Sequence, residues 1–288
     1  MFQSLEEIRQ KSLSEKKTFW QVIIENDMKE RQVPMESSFR TMRQMYTQMK
    51  HADDVYNKDL KSSSGCVGGD GSKLNDYFQK EDNLAGSFIG KIMERAVKMG
   101  ESNACMKKIV AAPTAGSCGV LPAVLITIQE RFHIPEDKMI ESLYVAAGIG
   151  EVIAHRASIS GAQGGCQAEI GSASSIAAGA LVYLRGGDAD AIVHASAIAM
   201  KSLLGLTCDP VAGLVEVPCV KRNVIGAVNA VTSADMALAG LRSFIPPDEV
   251  IDAMREIGDM MPSSLKETSE AGLATTPTAC KLCNKHCS

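Results

Sequence analysis

Through residues 3 to 60, apolar residues recur at helical spacing among charges of both signs: Phe19, Trp20, Val22 and Ile23, then Met42, Met45, Tyr46 and Met49. The spacing predicts two amphipathic helices separated near Pro34, the second opened by Ser37 or Ser38 as a cap. Stripes of this kind belong to a core far more often than to a cofactor site, so residues 1–60 read as a helical hairpin packed on the rest of the chain. A further helix is predicted from Asp82 to Met99, capped by Asp82 or Asn83 and ended by Gly100. The run 109–119, IVAAPTAGSCG, breaks into a Pro/Gly turn and leads into the apolar segment LPAVLITIQERF. Residues 136 to 157 read as one buried helix, or two interrupted at Gly148 and Gly150.

Residues 172–184 and 188–205 are rich in Ala, Ser and Leu, with Asp188 capping the second stretch. An Ala-rich helix over 223–242 and an amphipathic one over Asp248 to Met261 follow. Only seven Asp, Glu, Lys or Arg residues occur between positions 161 and 220. Helices so poor in charge are buried on most sides, which makes this stretch the centre of the fold. No run of β-branched alternation is long enough for a strand. The expected class is all-α or mainly α, a single compact domain built around buried Ala/Ser-rich helices with cysteine-bearing loops.

At 288 residues the chain is long enough to bury a core, and with 45% hydrophobic but only 5% aromatic residues, small side chains must fill much of it. A net charge of −4 with no basic block argues against a nucleic-acid surface. The N-terminus MFQSLEEIRQ lacks a cationic stretch followed by an apolar one, and no apolar run reaches a membrane span, so no membrane association and a cytoplasmic location are expected. Nine cysteines without a secretion signal point to metal binding or buried thiols rather than a disulfide framework. Cys280, Cys283 and Cys287 crowd the last nine residues, too close for ordinary mutual bridging.

Three cysteines lie in Gly/Pro-rich segments, Cys166 in GAQGGCQAEIGSASS and Cys208 and Cys219 in GLTCDPVAGLVEVPCVK, separated by 208 − 166 = 42 and 219 − 208 = 11 residues. Glycine lets backbone approach a bulky inorganic group, and each thiolate can sit on its own loop converging on one point. Three thiolates leave one position of a four-coordinate or four-iron site open, which a catalytic metal needs. A second candidate, KSSSGCVGGDGSK over 61–73, interleaves Cys66, Asp70 and Lys73 with its glycines, unlike a pure Gly/Ser linker, and reads as a binding loop with no regular structure. The turn bearing Thr114 and Ser117 is an anion site at a helix N-terminus or only a cap.

The strings PTAGSCGVLPAVL, ISGAQGGCQAEIGSA, LGLTCDPVAGLVEVPCVKRN and ADMALAG resemble the α subunit of the bacterial iron–sulfur L-serine dehydratases, which work without pyridoxal phosphate. The resemblance runs from about Ser62 to Pro277. It implies that Cys166, Cys208 and Cys219 hold a [4Fe–4S] cluster in a largely helical catalytic domain, here 61–277, followed by a Cys-rich tail over 278–288. It implies L-serine as substrate and a β subunit as partner, hence a hetero-oligomer. It also implies that a penultimate cysteine, here Cys287, ligates the fourth iron when substrate is absent. Where an Asn-Asn pair is expected before the ASISGA-like string, this chain has Ala154, His155 and Arg156, so His155 reads as a hydrogen-bonded core residue rather than a catalytic one.

Eliminating water from serine requires removal of the Cα proton and expulsion of hydroxide. Lys73 is a candidate base if desolvation lowers its pKa, or else a carboxylate binder; a histidine from the β subunit is the alternative base. Ser63, Ser64, Thr114 and Ser117 are candidates for holding the substrate carboxylate, each with a plain reading as a turn or cap residue. A pyridoxal-phosphate enzyme would need a Schiff-base lysine and a glycine-rich phosphate cup, which 61–73 does not exclude by composition, but three loop cysteines have no place in that chemistry. Competing readings are an iron–sulfur electron carrier and a non-catalytic subunit stapled by zinc through the tail CKLCNKHCS.

Overall fold

The computed structural model describes residues 1–80 and 82–282. The described residues form α-helices and short helical turns with no strand, apart from a single-residue parallel bridge between Cys208 and Lys266. Three helices open the chain: α1 (Leu5–Glu15), α2 (Phe19–Arg31) and α3 (Met35–Asp54). Periodicity alone missed the first break, which Lys16 makes in a left-handed conformation before Thr18 and Gln21 form a capping box on α2. Ser38 is not a cap. It is buried and hydrogen-bonds the Tyr144 hydroxyl at 2.6 Å, where Trp20, Phe39 and Tyr144 form an aromatic cluster. Asp248 accepts from the backbone N–H groups of Leu5 and Glu6 at 2.8 and 3.1 Å, fastening the start of α1 to the far end of the chain.

The next helices are α4 (Asp70–Phe78), α5 (Gly86–Ala104), α6 (Val120–Phe132) and α7 (Glu136–Arg156). Gly100, expected to end a helix, lies inside α5, where a Cβ would stand 3.2 Å from the Cα of Val220. Gly148 likewise does not interrupt α7: it makes room for Ile23, whose Cδ1 lies 2.3 Å from where a Cβ would be. Both glycines serve helix packing at short range rather than chain reversal.

A four-residue turn α8 (Gly161–Gly164) and a π-helical turn (Gln167–Gly171) lead directly into α9 (Ser172–Leu184). Helices α6, α7, α10 (Ala189–Lys201) and α11 (Cys219–Leu238) all pack against α9. Its exposed surface is nearly nil, and two of its buried hydroxyls are served internally, Ser175 Oγ donating to Ser196 O at 2.7 Å and Ser174 Oγ accepting from Asn229 Nδ2 at 2.8 Å, while the Ser172 hydroxyl has no partner among the described residues. Asp188 caps α10 as expected, accepting from the Ala191 N–H at 2.8 Å. The chain continues through α12 (Pro247–Met260) and a looped segment to α13 (Pro277–Leu282). Among the described residues no helix is long and apolar enough to cross a membrane.

Candidate functional site

The three cysteines do not all sit in loops. Cys166 stands between α8 and the π turn, Cys208 in the segment linking α10 to α11, and Cys219 on the first residue of α11. Gln167, fully buried, sets the first two against each other. Its backbone N–H donates to Leu206 O at 2.9 Å, its side-chain oxygen accepts from the Gly205 N–H at 2.9 Å, and its amide donates to Met254 O on α12 at 2.9 Å. Asn223, one turn after Cys219, donates to Cys219 O and Gly116 O at 2.9 and 2.8 Å and accepts from the Gly119 N–H at 2.8 Å. It thereby joins the 113–119 turn to the start of α11.

The segment after α12 is strapped along Cys208. The Cys208 N–H donates to Leu265 O and the Glu267 N–H donates to Cys208 O, each at 2.8 Å. Ser269 Oγ donates to Pro210 O at 2.6 Å, and the Leu273 N–H donates to Asp209 Oδ2 at 2.9 Å. Residues 265–273, which lack helical periodicity, are thus fixed by hydrogen bonds to a cysteine loop. Gly161 is required where Cys208 approaches, since a Cβ would lie 2.9 Å from its sulfur.

All three thiols are buried, and burial raises their pKa values: Cys166 to about 11, Cys219 to about 12, and Cys208 upward as well. Each also feels its neighbours. Ionising one would be opposed by the others: Cys166, Glu267, Glu169 and Cys219 all raise Cys208, and Cys166 and Glu169 raise Cys219. Even with the Arg222 guanidinium lowering Cys166, thiols so placed stay protonated at neutral pH, and a bound metal would supply the further positive charge that ionises them. Among the described residues no three His, Cys, Asp or Glu side chains close tightly enough for one metal ion. A polynuclear cluster spreads its ligands wider than a single ion does, and the donor set of three thiols from separate segments fits one.

Glu169, three residues after Cys166, is the neighbour that sequence reasoning missed. Its carboxyl is half-buried, burial raises its pKa, and the Thr114 hydroxyl donates to it. Ser117 Oγ hydrogen-bonds Thr114 Oγ1 at 2.9 Å. The 113–119 turn therefore comes to the cysteine site by holding Glu169, and a Cβ on Gly116 would lie 2.6 Å from that carboxylate. One pattern was available to find it: Glu169, Asp209 and Glu216 are three of the seven charged residues between 161 and 220, and all three are bonded beside a cysteine.

The 61–73 segment is partly helical, because α4 starts at Asp70. Glu101, 1% exposed, accepts from the N–H groups of Gly68, Asp70 and Gly71 at 3.1, 2.8 and 3.2 Å and from the Tyr56 hydroxyl. The loop's amide cradle is filled by a carboxylate of the protein itself. Ser64 donates to Glu216, as does Ser62 at 2.8 Å, which brings this loop to the approach of Cys219; Ser63 is exposed. Lys73 is 76% exposed and paired with Asp70 at 2.8 Å, so its pKa is raised, not lowered by desolvation as a base would need. His155 is exposed rather than in the core. Cys280 is buried and disulfide-bonded, so the tail thiols are not all available as ligands; Cys283, His286 and Cys287 lie outside the described residues.

The all-helical scaffold and its three-cysteine centre place the chain among serine dehydratase α chains: the family model described as "Serine dehydratase alpha chain" matches residues 14–274, and the chain belongs to that family. The match starts in α1, upstream of Ser62, where the sequence resemblance began. The chain is similar to the "Probable L-serine dehydratase, alpha chain" of Bacillus subtilis, 45% identical over 282 residues, covering 98% of this chain and 94% of that one. It is 56% identical over 190 residues to the "Probable L-serine dehydratase, alpha chain" of Latilactobacillus sakei, covering 66% of this chain and 91% of that one. To the "L-serine dehydratase TdcG" of Escherichia coli it is 46% identical over 184 residues, 62% of this chain but 40% of that longer one.

Proposed function

We propose that this chain is the catalytic subunit of an L-serine dehydratase, eliminating water from L-serine to give pyruvate and ammonia, with a [4Fe–4S] cluster held by Cys166, Cys208 and Cys219. The observation that carries the reading is the meeting of three buried thiols from separate segments, within reach of one another's charge, in a chain of this family. When bound, such a cluster supplies Lewis acidity toward the departing hydroxyl. No pyridoxal phosphate takes part in this reading: the glycine-loop amides already bind Glu101, and Lys73 is exposed and ion-paired.

Proton transfer falls to Glu169. It borders the thiols, and its raised pKa brings it closer to the operating range of a general base than an ordinary glutamate. Thr114 and Ser117 hold Glu169 in place, so the carboxylate-binding role moves away from them: a substrate carboxylate at either hydroxyl would face a fixed anion. Ser64 is committed to Glu216 in the same way. Loss of the Cα proton to Glu169 and of hydroxide from Cβ leaves an aminoacrylate, which tautomerises to an imine and hydrolyses to pyruvate and ammonia.

A β subunit completes the assembly in this reading, supported by the name "alpha chain" on its relatives and by the greater length of the Escherichia coli one. Cys287 is the proposed fourth ligand of the resting state. The test is anaerobic purification with iron and sulfide analysis, and a pyruvate assay with and without the partner chain. Iron and labile sulfide in the ratio of a [4Fe–4S] cluster, with pyruvate formed from L-serine, support the reading. Protein that carries zinc, or an iron–sulfur centre with no lyase activity, replaces it with the stapled subunit or the electron carrier.

A further inference from the structure

One side chain joins two of the cysteine-bearing segments and sets its charge near the third. Arg222 lies on α11 three residues after Cys219, its side chain 16% exposed. Nη1 donates to Thr207 O at 2.7 Å and Nη2 to Asp209 Oδ1 at 2.8 Å, so the guanidinium straddles Cys208 through the residues on either side of it. Its positive charge also acts on the Cys166 thiol, whose pKa it lowers against the effect of burial. Asp209, 6% exposed at its side chain, passes the connection on: its second oxygen accepts from the Leu273 N–H at 2.9 Å, and Gly272 is needed there because a Cβ would lie 2.5 Å from that oxygen.

We propose that Arg222 is a positioning residue of the cysteine centre, fixing the Cys208 segment against the start of α11 and placing a permanent positive charge among the sulfurs. The inference rests on the reading that these thiols hold an iron–sulfur cluster. The planar fork is what the geometry demands: two acceptors on either side of Cys208, served by one rigid group carried on the helix of Cys219. A cation beside the ligand sulfurs favours the more negative, reduced state of the cluster, so Arg222 raises its reduction potential. An Arg222–Asp209 ion pair that merely stapled the fold would stabilise the chain and leave the potential alone.

The test uses the full chain, anaerobically loaded with iron and sulfide, in three variants: Arg222→Met, Arg222→Lys and Asp209→Asn. Arg222→Met should weaken cluster retention against a chelator by about 10–100-fold and move the reduction potential to a more negative value. Arg222→Lys keeps the charge but loses the fork, so its potential falls between those of Met and wild type; it also serves if the Met variant does not fold. Asp209→Asn should lower the melting temperature while shifting the potential less than Arg222→Met. Variants at Arg222 with wild-type retention and potential overturn this inference alone, whereas a wild-type chain that takes up no iron overturns the cluster reading and this one with it.

Discussion

Two glycine-rich regions of this chain look alike in sequence and have opposite chemistry. In residues 62–71 most groups that might have met a ligand are already bonded within the protein, the Ser63 hydroxyl and the Cys66 thiol aside: Glu101 fills the amide cradle, Glu216 takes the hydroxyls of Ser62 and Ser64, and Asp70 pairs with Lys73 and Lys221. Around Cys166, Cys208 and Cys219 the backbone is equally well bonded, yet three acidic protons and the raised carboxyl of Glu169 remain to be titrated or displaced. Glycine marks where backbone comes close to something. Whether that something is a ligand or a buried glutamate depends on which polar groups are left uncommitted.

The largest effects should separate the regions outright. Cys166→Ser, Cys208→Ser and Cys219→Ser should each abolish pyruvate formation and most iron absorbance in anaerobic preparations, because each thiol stands alone on its segment; a variant with full iron and turnover is not missing a ligand. Glu169→Gln should lower kcat by about 10²–10⁴-fold with iron content unchanged. As a base, Glu169 works only when ionised, so wild-type kcat/KM should fall as pH drops through a limb lying above the usual glutamate range, and that limb should vanish in the variant.

Smaller effects sharpen the contrast from the other side. Glu101→Ala leaves three backbone donors and a tyrosine hydroxyl without their acceptor, and should cost about 3 kcal/mol in denaturant unfolding while the folded fraction keeps its iron. Loss of cluster in parallel with that destabilisation would mean that the two regions are one site. Lys73→Met should change nothing in turnover, iron content or melting temperature, and added pyridoxal phosphate should give no Schiff-base absorbance; a collapse of kcat in this variant would restore the lysine as a base.

The helical class and the burial of α9 were legible because a run of Ala and Ser with hardly any charge has only one stable environment. Cysteine spacing made the centre legible too, since loops that bring Cys166, Cys208 and Cys219 within reach leave the thiols as their distinctive groups. What periodicity could not provide was who bonds whom across the fold. Gly100 and Gly148 read as breaks because their packing partners, Val220 and Ile23, are remote in sequence. Lys73 read as a base because its glycines suggested a cavity, and the surface ion pair that disqualifies it needs coordinates. Glu169 and Arg222 lay inside or beside the quoted strings but took on meaning only when Thr114 and Asp209 were found on them.

The strap along Cys208 also sets a schedule for biosynthesis. The Cys208 loop receives two of its backbone bonds from residues 265–267, and Asp209 receives a third from residue 273, so the centre cannot reach its final shape while those residues are still being translated. Earlier helices emerge first and can collapse on one another as they appear. The thiols must wait, open to oxidants, until a stretch more than fifty residues downstream of Cys208 has left the ribosome. On the proposed cluster reading, iron and sulfur load after translation, and cells depleted of assembly factors should accumulate a folded helical shell whose Cys208 loop is the part open to proteases.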